Sequence, residues 1–573
     1  MSPRMAAGGV GPASPGAGRA GAAFLIAACL LSATVARAAP KTPASPPRFD
    51  TRRADAAFAE YARAGSPGCA SGLVADGRLV WSHGYGLASL EQEVPNRPAT
   101  IFDLGSTSKQ VTAAAVALLV RDGKLALDDD VRKLVPEVPD YGRVITLRHL
   151  LTHTSGLRDY TDLLSMQGRR EEDVTTVADA LRTIALQRGL NFEPGTEFRY
   201  CNTGFFLASI VVERASGRSL RAFAAERIFA PLGMTHTLFM DDHTLVVPGR
   251  ATAYEPRDGG GFRLAMSDWE QTGDGGVQSS VEEMALWAAA LDAGRIGGRA
   301  LTDLLETPGR LKDGTPLGYG LGLFLDTHRG LRLVQHAGAW AGFRAMLLRV
   351  PERRLAVVTL CNVGSADTSR LSLAVLDAAL DARPSPPAPP PPAVAVEPAR
   401  LETLAGLYVN EHVGEVARVV ATHGGLRVEG LGVDGELVPE GGDRFRSCGE
   451  RLTVTFEPAG ARLEVTSAGY GPVPVPFHKV AGGTAPSPER LAALAGSYAN
   501  PEIGPPWIVT LPAAGAPRLT LPAGDAADLA PVEGDLFDAG WGLVRFERDG
   551  TGRVTGLAFT DRGLVGVVLR RLP

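Results

Sequence analysis

Cysteine is scarce in this chain, five in 573 residues, and one of them, Cys29, lies in an apolar N-terminal run. The other four, Cys69, Cys201, Cys361 and Cys448, are far apart. They form no C-x-x-C and no cysteine–histidine cluster, so a zinc site has no support. Pairing among them and service as small buried hydrophobes are both open readings. No uncharged apolar run is long enough to cross a bilayer, so no stable membrane span is expected. Neither sign of charge dominates: 58 lysines and arginines face 63 acids, and the pI is near 6.1. That balance offers nucleic acid nothing to bind. An H-E-x-x-H helix and a G-x-S-x-G elbow are both missing, which removes the common zinc-peptidase and α/β-hydrolase readings. "GYGLGL" (Gly318–Leu323) has the glycines of a phosphate loop, but no K-[ST] follows; it reads as loop or strand near a site. Met240-Asp241-Asp242-His243 reads as a solvated turn. No metal and no cofactor is expected.

What is present is a folded composition, 45% hydrophobic and 21% charged, in a chain too long for one core. Arg4 and Arg19 precede "AAFLIAACLLSATVA" (Ala22–Ala36), and Ala36 and Ala38 occupy the small positions of a signal-peptidase site. Residues 1–38 therefore read as a secretory leader, and the protein as exported, periplasmic or extracellular. Cys29 sits midway through the apolar run, which argues against lipoprotein anchoring there. Residues 39–48 form a proline-rich tether.

From 49 to 382 the pattern is mixed. "GLVADGRLVWS" predicts a hairpin turning at Asp76-Gly77. "SVEEMALWAAALDAG" predicts a helix opened by a Ser280–Glu283 capping box and closed by Gly294. "LRLVQHAG", "FRAMLLRV" and "RLAVVTLCN" predict three strands. Strands at both ends with helices between predict an antiparallel sheet with helical layers, an α+β domain. A polyproline linker at 383–397 divides it from the rest. Beyond lies an internal repeat: "PARLETLAGLYVNEHVG" (Pro398–Gly414) matches "PERLAALAGSYANPEIG" (Pro488–Gly504), and the same spacing pairs Val454 and Phe456 with Val544 and Phe546. Two small all-β units, expected to be barrels, account for 398–482 and 488–573.

The chemistry gathers in short motifs. "GSTSK" places Ser106 and Lys109 three residues apart at a helix start, a hydroxyl beside an amine that can deprotonate it. Alone this pattern is weak. "FRYCNTGF" adds Tyr200 and Asn202, and "VQHAGAWAGF" adds His336 and Gly338 at a strand end. "ITLRHLLTHTSGL" (Ile145–Leu157), "PLGMTHT" (Pro231–Thr237) and "GDGGVQSSVEEMALW" (Gly273–Trp287) are longer blocks.

The order S-x-x-K, Y-x-N, H-x-G resembles the serine β-lactamase and penicillin-recognising superfamily, with its closest look to the class C β-lactamase, D-aminopeptidase and esterase branch. The resemblance covers roughly 49–382 and implies a β-lactamase/transpeptidase-like fold. It also implies Ser106 as nucleophile, Lys109 and Tyr200 sharing the role of base, and the backbone amides of Ser106 and Ala339 as oxyanion donors. Asn202, His336, Gly338 and Ala339 would line the substrate site. His336 stands where class C β-lactamases usually carry lysine, and a neutral imidazole relaxes the demand for a substrate carboxylate. Cys201, in a slot often held by serine, reads as packing. The expected function is an exported serine hydrolase acting through an acyl-enzyme on Ser106, cleaving amides or esters of D-amino-acid-containing peptides or small esters. Alternatives are a class C-like β-lactamase and a non-catalytic penicillin-binding or interaction protein. The partner is a small-molecule or peptide substrate; the oligomeric state is left open.

Overall fold

The computed structural model describes residues 49–380 and 396–573, apart from 432–434, 448–451, 468–470, 483–485 and 513–514. The expected leader (1–38) and tether (39–48), Cys448, and all but the last two residues of the expected linker (383–397) lie outside the described residues. Among the described residues no helix is long and apolar enough to cross a membrane.

A six-stranded antiparallel sheet organises the first part of the chain. Its strands are β1 (Cys69–Ala75), β2 (Arg78–Tyr85), β3 (Phe324–His328), β4 (Leu331–Trp340), β5 (Phe343–Val350) and β6 (Leu355–Cys361), in the order β3-β4-β5-β6-β1-β2. The β1–β2 hairpin turns at Asp76 and Gly77, both at positive φ, as an Asp-Gly pair favours. β6, "LAVVTLC", is buried at every position. Its side chains alternate between two apolar layers: Val357 and Cys361 face one, Ala356, Val358 and Leu360 the other. A strand covered on both faces has no need of polar alternation.

Six helices pack on the sheet or frame the site: α1 (Thr51–Ala57), α2 (Lys109–Arg121), α3 (Tyr160–Met166), α4 (Asn202–Ser216), α5 (Val281–Ala293) and α6 (Thr368–Leu380). The two terminal ones, α1 and α6, cover one sheet face. On the other lies the larger core built by α2, α4 and α5, so the sheet is the middle of three layers. Every residue of α2 from Lys109 to Leu119 is buried, and its alanines let neighbouring elements close in on all sides. α5 begins where expected, with Ser280 accepting from the Glu283 amide, and ends on Gly294 at φ 62°. The capping box is only half formed. Glu283 instead turns outward to accept from the His236 amide and the Thr237 hydroxyl, a tertiary demand that outweighs the local one.

The repeat is visible in hydrogen bonds as well as letters. Tyr408 Oη donates to Leu404 O, and Tyr498 Oη to Leu494 O. Asn410 Oδ1 accepts from the His412 amide and Asn500 Oδ1 from the Glu502 amide. The first unit is a closed antiparallel barrel of eight strands between Gly406 and Val480. The second is a nine-stranded sheet whose edge strands, Ala526–Asp528 and Ala530–Glu533, are not bonded to each other. It rolls up around the buried Leu529, whose amide bonds Pro517 O instead, and stops short of closure. Its core takes in Leu163 and Met166 of α3, and the described residues from 49 onward form one compact unit.

Cys69 and Cys361, direct partners across β1 and β6, are joined by a disulfide, while Cys201 is free and buried. The bridge ties chain positions 292 residues apart, restricting the unfolded chain most where the enclosed loop is long. Replacing both cysteines by alanine should lower unfolding stability by about 2–5 kcal/mol, read from urea melts with and without the pair.

Candidate active site

The turn carrying Ser106 is pinned from three directions. Asp103 Oδ1 accepts from the Gly105 amide and its Oδ2 from Gln278 Nε2; Ser108 Oγ accepts from the Val277 amide; Thr107 Oγ1 donates to His336 O. Residues Gly105–Ser108 are wound as a 3₁₀ turn before α2 begins, and in that geometry residues i and i+3 eclipse. Ser106 and Lys109 are therefore stacked one above the other. The end of β4 then closes on this turn backbone to backbone. A methyl on Gly338 would sit 1.9 Å from Leu104 O, and one on Gly105, at φ +47°, would sit 2.7 Å from Ala339 N. Only glycine permits either approach.

Lys109 is fully buried and spends its three protons on three oxygens: Ser106 Oγ at 2.9 Å, Asn202 Oδ1 at 2.8 Å and the Asp274 carbonyl at 2.7 Å. Burial lowers its pKa to about 8, against the opposing pull of Asp274 and Asp159. Two of its three partners are acceptors only, and the third is a hydroxyl. When the amine is neutral, its two protons stay on the carbonyl oxygens and its lone pair is left facing Ser106 Oγ. Tyr200 lies beneath, its ring centroid 4.8 Å from Nζ. The Tyr200 hydroxyl is buried with no partner in hydrogen-bond geometry among the described residues. Burial raises its pKa more than the nearby Ser106 lowers it, so it remains a phenol.

Asn202 opens α4. Its amide is capped by Asp159 Oδ2, and its Nδ2 reaches Thr161 Oγ1. His336 faces the same core but is only 2% exposed, and protein atoms occupy both ring nitrogens: Ala337 O lies 2.6 Å from Nδ1 and Tyr319 Oη 3.1 Å from Nε2. The structure thus brings Ser106, Lys109, Tyr200 and Asn202 together, with Gly338 and Ala339 against the Ser106 turn. His336 stands one layer back.

Three residues outside the motif reading complete the centre. His153 Nδ1 lies 3.1 Å from the Cys201 amide nitrogen and 3.2 Å from the Cys201 carbonyl oxygen, and its Nε2 lies 3.1 Å from Tyr319 Oη. Ala337 O, beside His336 Nδ1, can only accept, so His336 Nε2 is an acceptor for Tyr319. His153 Nε2 therefore carries the proton and donates to Tyr319. Tyr319 is then free to donate to His336 Nε2, and His336 Nδ1–H to Ala337 O. One proton arrangement satisfies every member. Burial and the Lys109 charge hold His153 well below its ordinary pKa, and His336 down to about 3. His153, at φ 56°, also packs against the Tyr200 ring, with centroids 4.2 Å apart and planes tilted by 33°. Asp274 is the third. Burial raises its pKa to about 6, and Tyr160 donates to its Oδ2. His153, Tyr319 and Asp274 all lie in conspicuous stretches, "THTSGL", "GYGLGL" and "GDGG", but nothing in those letters says which side chain turns inward. In "GYGLGL", Gly322 packs closely against the Lys109 carbonyl. Cys201 is buried and donates to Leu157 O, and burial keeps its thiol protonated. His243 of the expected solvated turn pairs with Glu270, outside this constellation.

Comparison with known proteins follows the same outline. The family model described as Beta-lactamase matches residues 54–382. The chain belongs to the beta-lactamase family. Among similar proteins, a D-aminopeptidase of Cereibacter sphaeroides is 32% identical over 405 residues, 70% of this chain and 72% of the relative. One from Brucella canis is 28% identical over 527 residues, 88% and 96% of the two chains. Of solved structures, the octameric penicillin-binding protein homologue from Pyrococcus abyssi superposes with a TM-score of 0.54 at 25% identity, covering 75% of this chain and all of that one.

For this beta-lactamase-family hydrolase, Tyr319→Phe should leave the Nε2 atoms of both His153 and His336 without a partner in a buried site. A loss of about 1–3 kcal/mol in unfolding stability is expected, measured by urea denaturation. An unchanged midpoint would show that the chain of three carries no weight.

Proposed function

We propose that this protein is an exported serine hydrolase of the D-aminopeptidase type, releasing an N-terminal D-residue from amides and short peptides through an acyl-enzyme on Ser106. The observation that carries the reading is the set of three partners around Lys109: its neutral form can direct a lone pair only at Ser106 Oγ. In this scheme Lys109 takes the hydroxyl proton as Oγ attacks the carbonyl. The amides of Ser106 and Ala339 receive the oxyanion. The proton that Lys109 took from Ser106 goes on to the departing nitrogen by way of Tyr200. Tyr200 gives up its own proton and recovers this one, so both groups end the step as they began. Asn202 holds the acyl side. Water then completes the cycle. The neutral, fully partnered His336 offers no cation to a substrate carboxylate, which favours aminopeptidase over β-lactamase chemistry. The D-residue preference draws on the relatives named D-aminopeptidase, one of which aligns over most of both chains.

Export rests on the composition of residues 1–38, with support from the Cys69–Cys361 disulfide, a bond suited to an oxidising compartment. An intact-mass measurement on protein from the native host should place the mature N-terminus at Ala39.

The decisive assay compares D-amino-acid amides, D-Ala-D-Ala peptides, short-chain nitrophenyl esters and a chromogenic cephalosporin. D-Amides should be the best substrates, and Ser106→Ala should lower their turnover by about 10⁴-fold or more. Cephalosporin turnover exceeding that of the amides, or a Ser106→Ala variant of near wild-type rate, would overturn the reading. The base must be neutral to act, so kcat/KM should rise with pH through an apparent pKa near 8, the value to which burial brings Lys109.

A further inference from the structure

The titratable groups around the Lys109 amine come from several segments of the chain. His153, Tyr200 and His336 are held neutral by burial, and the Cys201 thiol stays protonated. The acids among them are Asp159, before α3, and Asp274, in the loop before α5. Asp159 is fully engaged: its Oδ1 accepts from the Thr161 amide and hydroxyl, and its Oδ2 from the Asn202 amide. It caps α3. Asp274 is different. Its backbone carbonyl takes a Lys109 proton at 2.7 Å, a service any residue at this position would give. Its carboxylate is buried as well. Tyr160 Oη donates to Oδ2 at 3.0 Å, while Oδ1 has no partner in hydrogen-bond geometry among the described residues. A buried carboxylate matched on one oxygen only is costly, and this one caps no helix. The fold alone gives no reason for the charge.

We propose that Asp274 is a positioning residue acting through Lys109, its carboxylate supplying the counter-charge for the ammonium that forms as Ser106 attacks. The proposal rests on the functional reading above, in which Lys109 is the base. In that step the Ser106 Oγ–H bond breaks and the Lys109 lone pair takes the proton. Oγ bonds the carbonyl carbon, and the carbonyl π pair moves to its oxygen. Positive charge thus appears at Nζ, in a space closed to water. An anion held nearby acts far more strongly there than it would in solution. It also needs no rearrangement at the moment of reaction, because Tyr160 already fixes the carboxylate. Burial raises the Asp274 pKa to about 6, against the opposing pull of Lys109. The carboxylate is therefore ionised over the range in which the amine loses its proton, near 8. The unmatched Oδ1 fits this use, since it leaves part of the negative charge unanswered by any donor but the lysine.

Asp274→Asn removes the charge while keeping the backbone carbonyl and an acceptor for Tyr160. Two pH profiles test it: labelling of Ser106 by a fluorophosphonate, which needs an activated hydroxyl but no particular substrate, and kcat/KM for D-alanine amide. In the wild type both should rise through a limb near pH 8. In the variant the limb should move about one pH unit or more toward acid, because the ammonium has lost an opposite charge. The plateau above it should fall about tenfold, because a weaker base drives the proton transfer less. The wild-type and variant profiles then converge at low pH. A variant disturbed only in its packing would lose plateau without moving the limb. That outcome, or profiles identical to the wild type, would overturn the proposal and leave the functional reading standing. If urea melts show the asparagine variant to be unfolded, Asp274→Ser makes the same comparison, with its hydroxyl as the acceptor for Tyr160. Labelling with the expected shift but no amide turnover would overturn the D-aminopeptidase reading and support the role of Asp274. A wild type not labelled at Ser106, or labelled with no limb near pH 8, would overturn both.

Discussion

Everything near the centre depends on a lysine ammonium kept out of water. A buried charge is tolerated only when its protons are matched by acceptors, and Lys109 has three: Ser106 Oγ, Asn202 Oδ1 and the Asp274 carbonyl. This requirement draws the start of α2, the start of α4 and the loop before α5 to one point. The same burial makes the proton easy to remove, bringing the pKa to about 8. A structural constraint and a chemical property thus have a single cause.

The wall behind that lysine is polar yet uncharged. A cation at His153 or His336 would repel the Lys109 ammonium, and both imidazoles are held neutral by burial. Tyr319 satisfies both rings at once, so no nitrogen is left without a partner in the low-dielectric core, where an orphan is most costly. His153 does further work through its shape. Its ring packs against Tyr200 while its Nδ1 holds the Cys201 amide, which fixes the Y-x-N segment from both sides. His336, read from sequence as lining the substrate site, contributes through this chain from the layer behind.

The β units are joined to the catalytic domain by packing and by buried polar contacts. α3 lends Leu163 and Met166 to the core of the second unit. Arg199, the neighbour of Tyr200, donates to carbonyls of both units: Asp561 and Arg562 in the second, His412 in the first. A guanidinium has five N–H donors in a rigid fork, and here it spans three parts of the chain beside the reactive centre. The two repeats share a fold pattern and internal hydrogen bonds, and both meet the catalytic domain at Arg199.

Much of this was legible in the letters. Glycine and turn chemistry marked the hairpin at Asp76-Gly77 and the end of α5, apolar patterning marked β4 to β6, and repetition marked the paired β units. Ser106, Lys109, Tyr200 and Asn202 were legible only through the resemblance of their motifs to a known family, since a serine and a lysine three residues apart are by themselves a weak signal. The turns and strands are local features, determined by backbone preferences within a few residues. Burial, pairing and proton placement are not local. The disulfide between Cys69 and Cys361, the half-formed capping box at Ser280 and the unclosed second sheet are outcomes of which segments meet. The same holds for the tyrosine shared by His153 and His336. Each depends on contacts between residues far apart in the chain, and only the packed tertiary structure brings those residues together and excludes the water that would otherwise satisfy them.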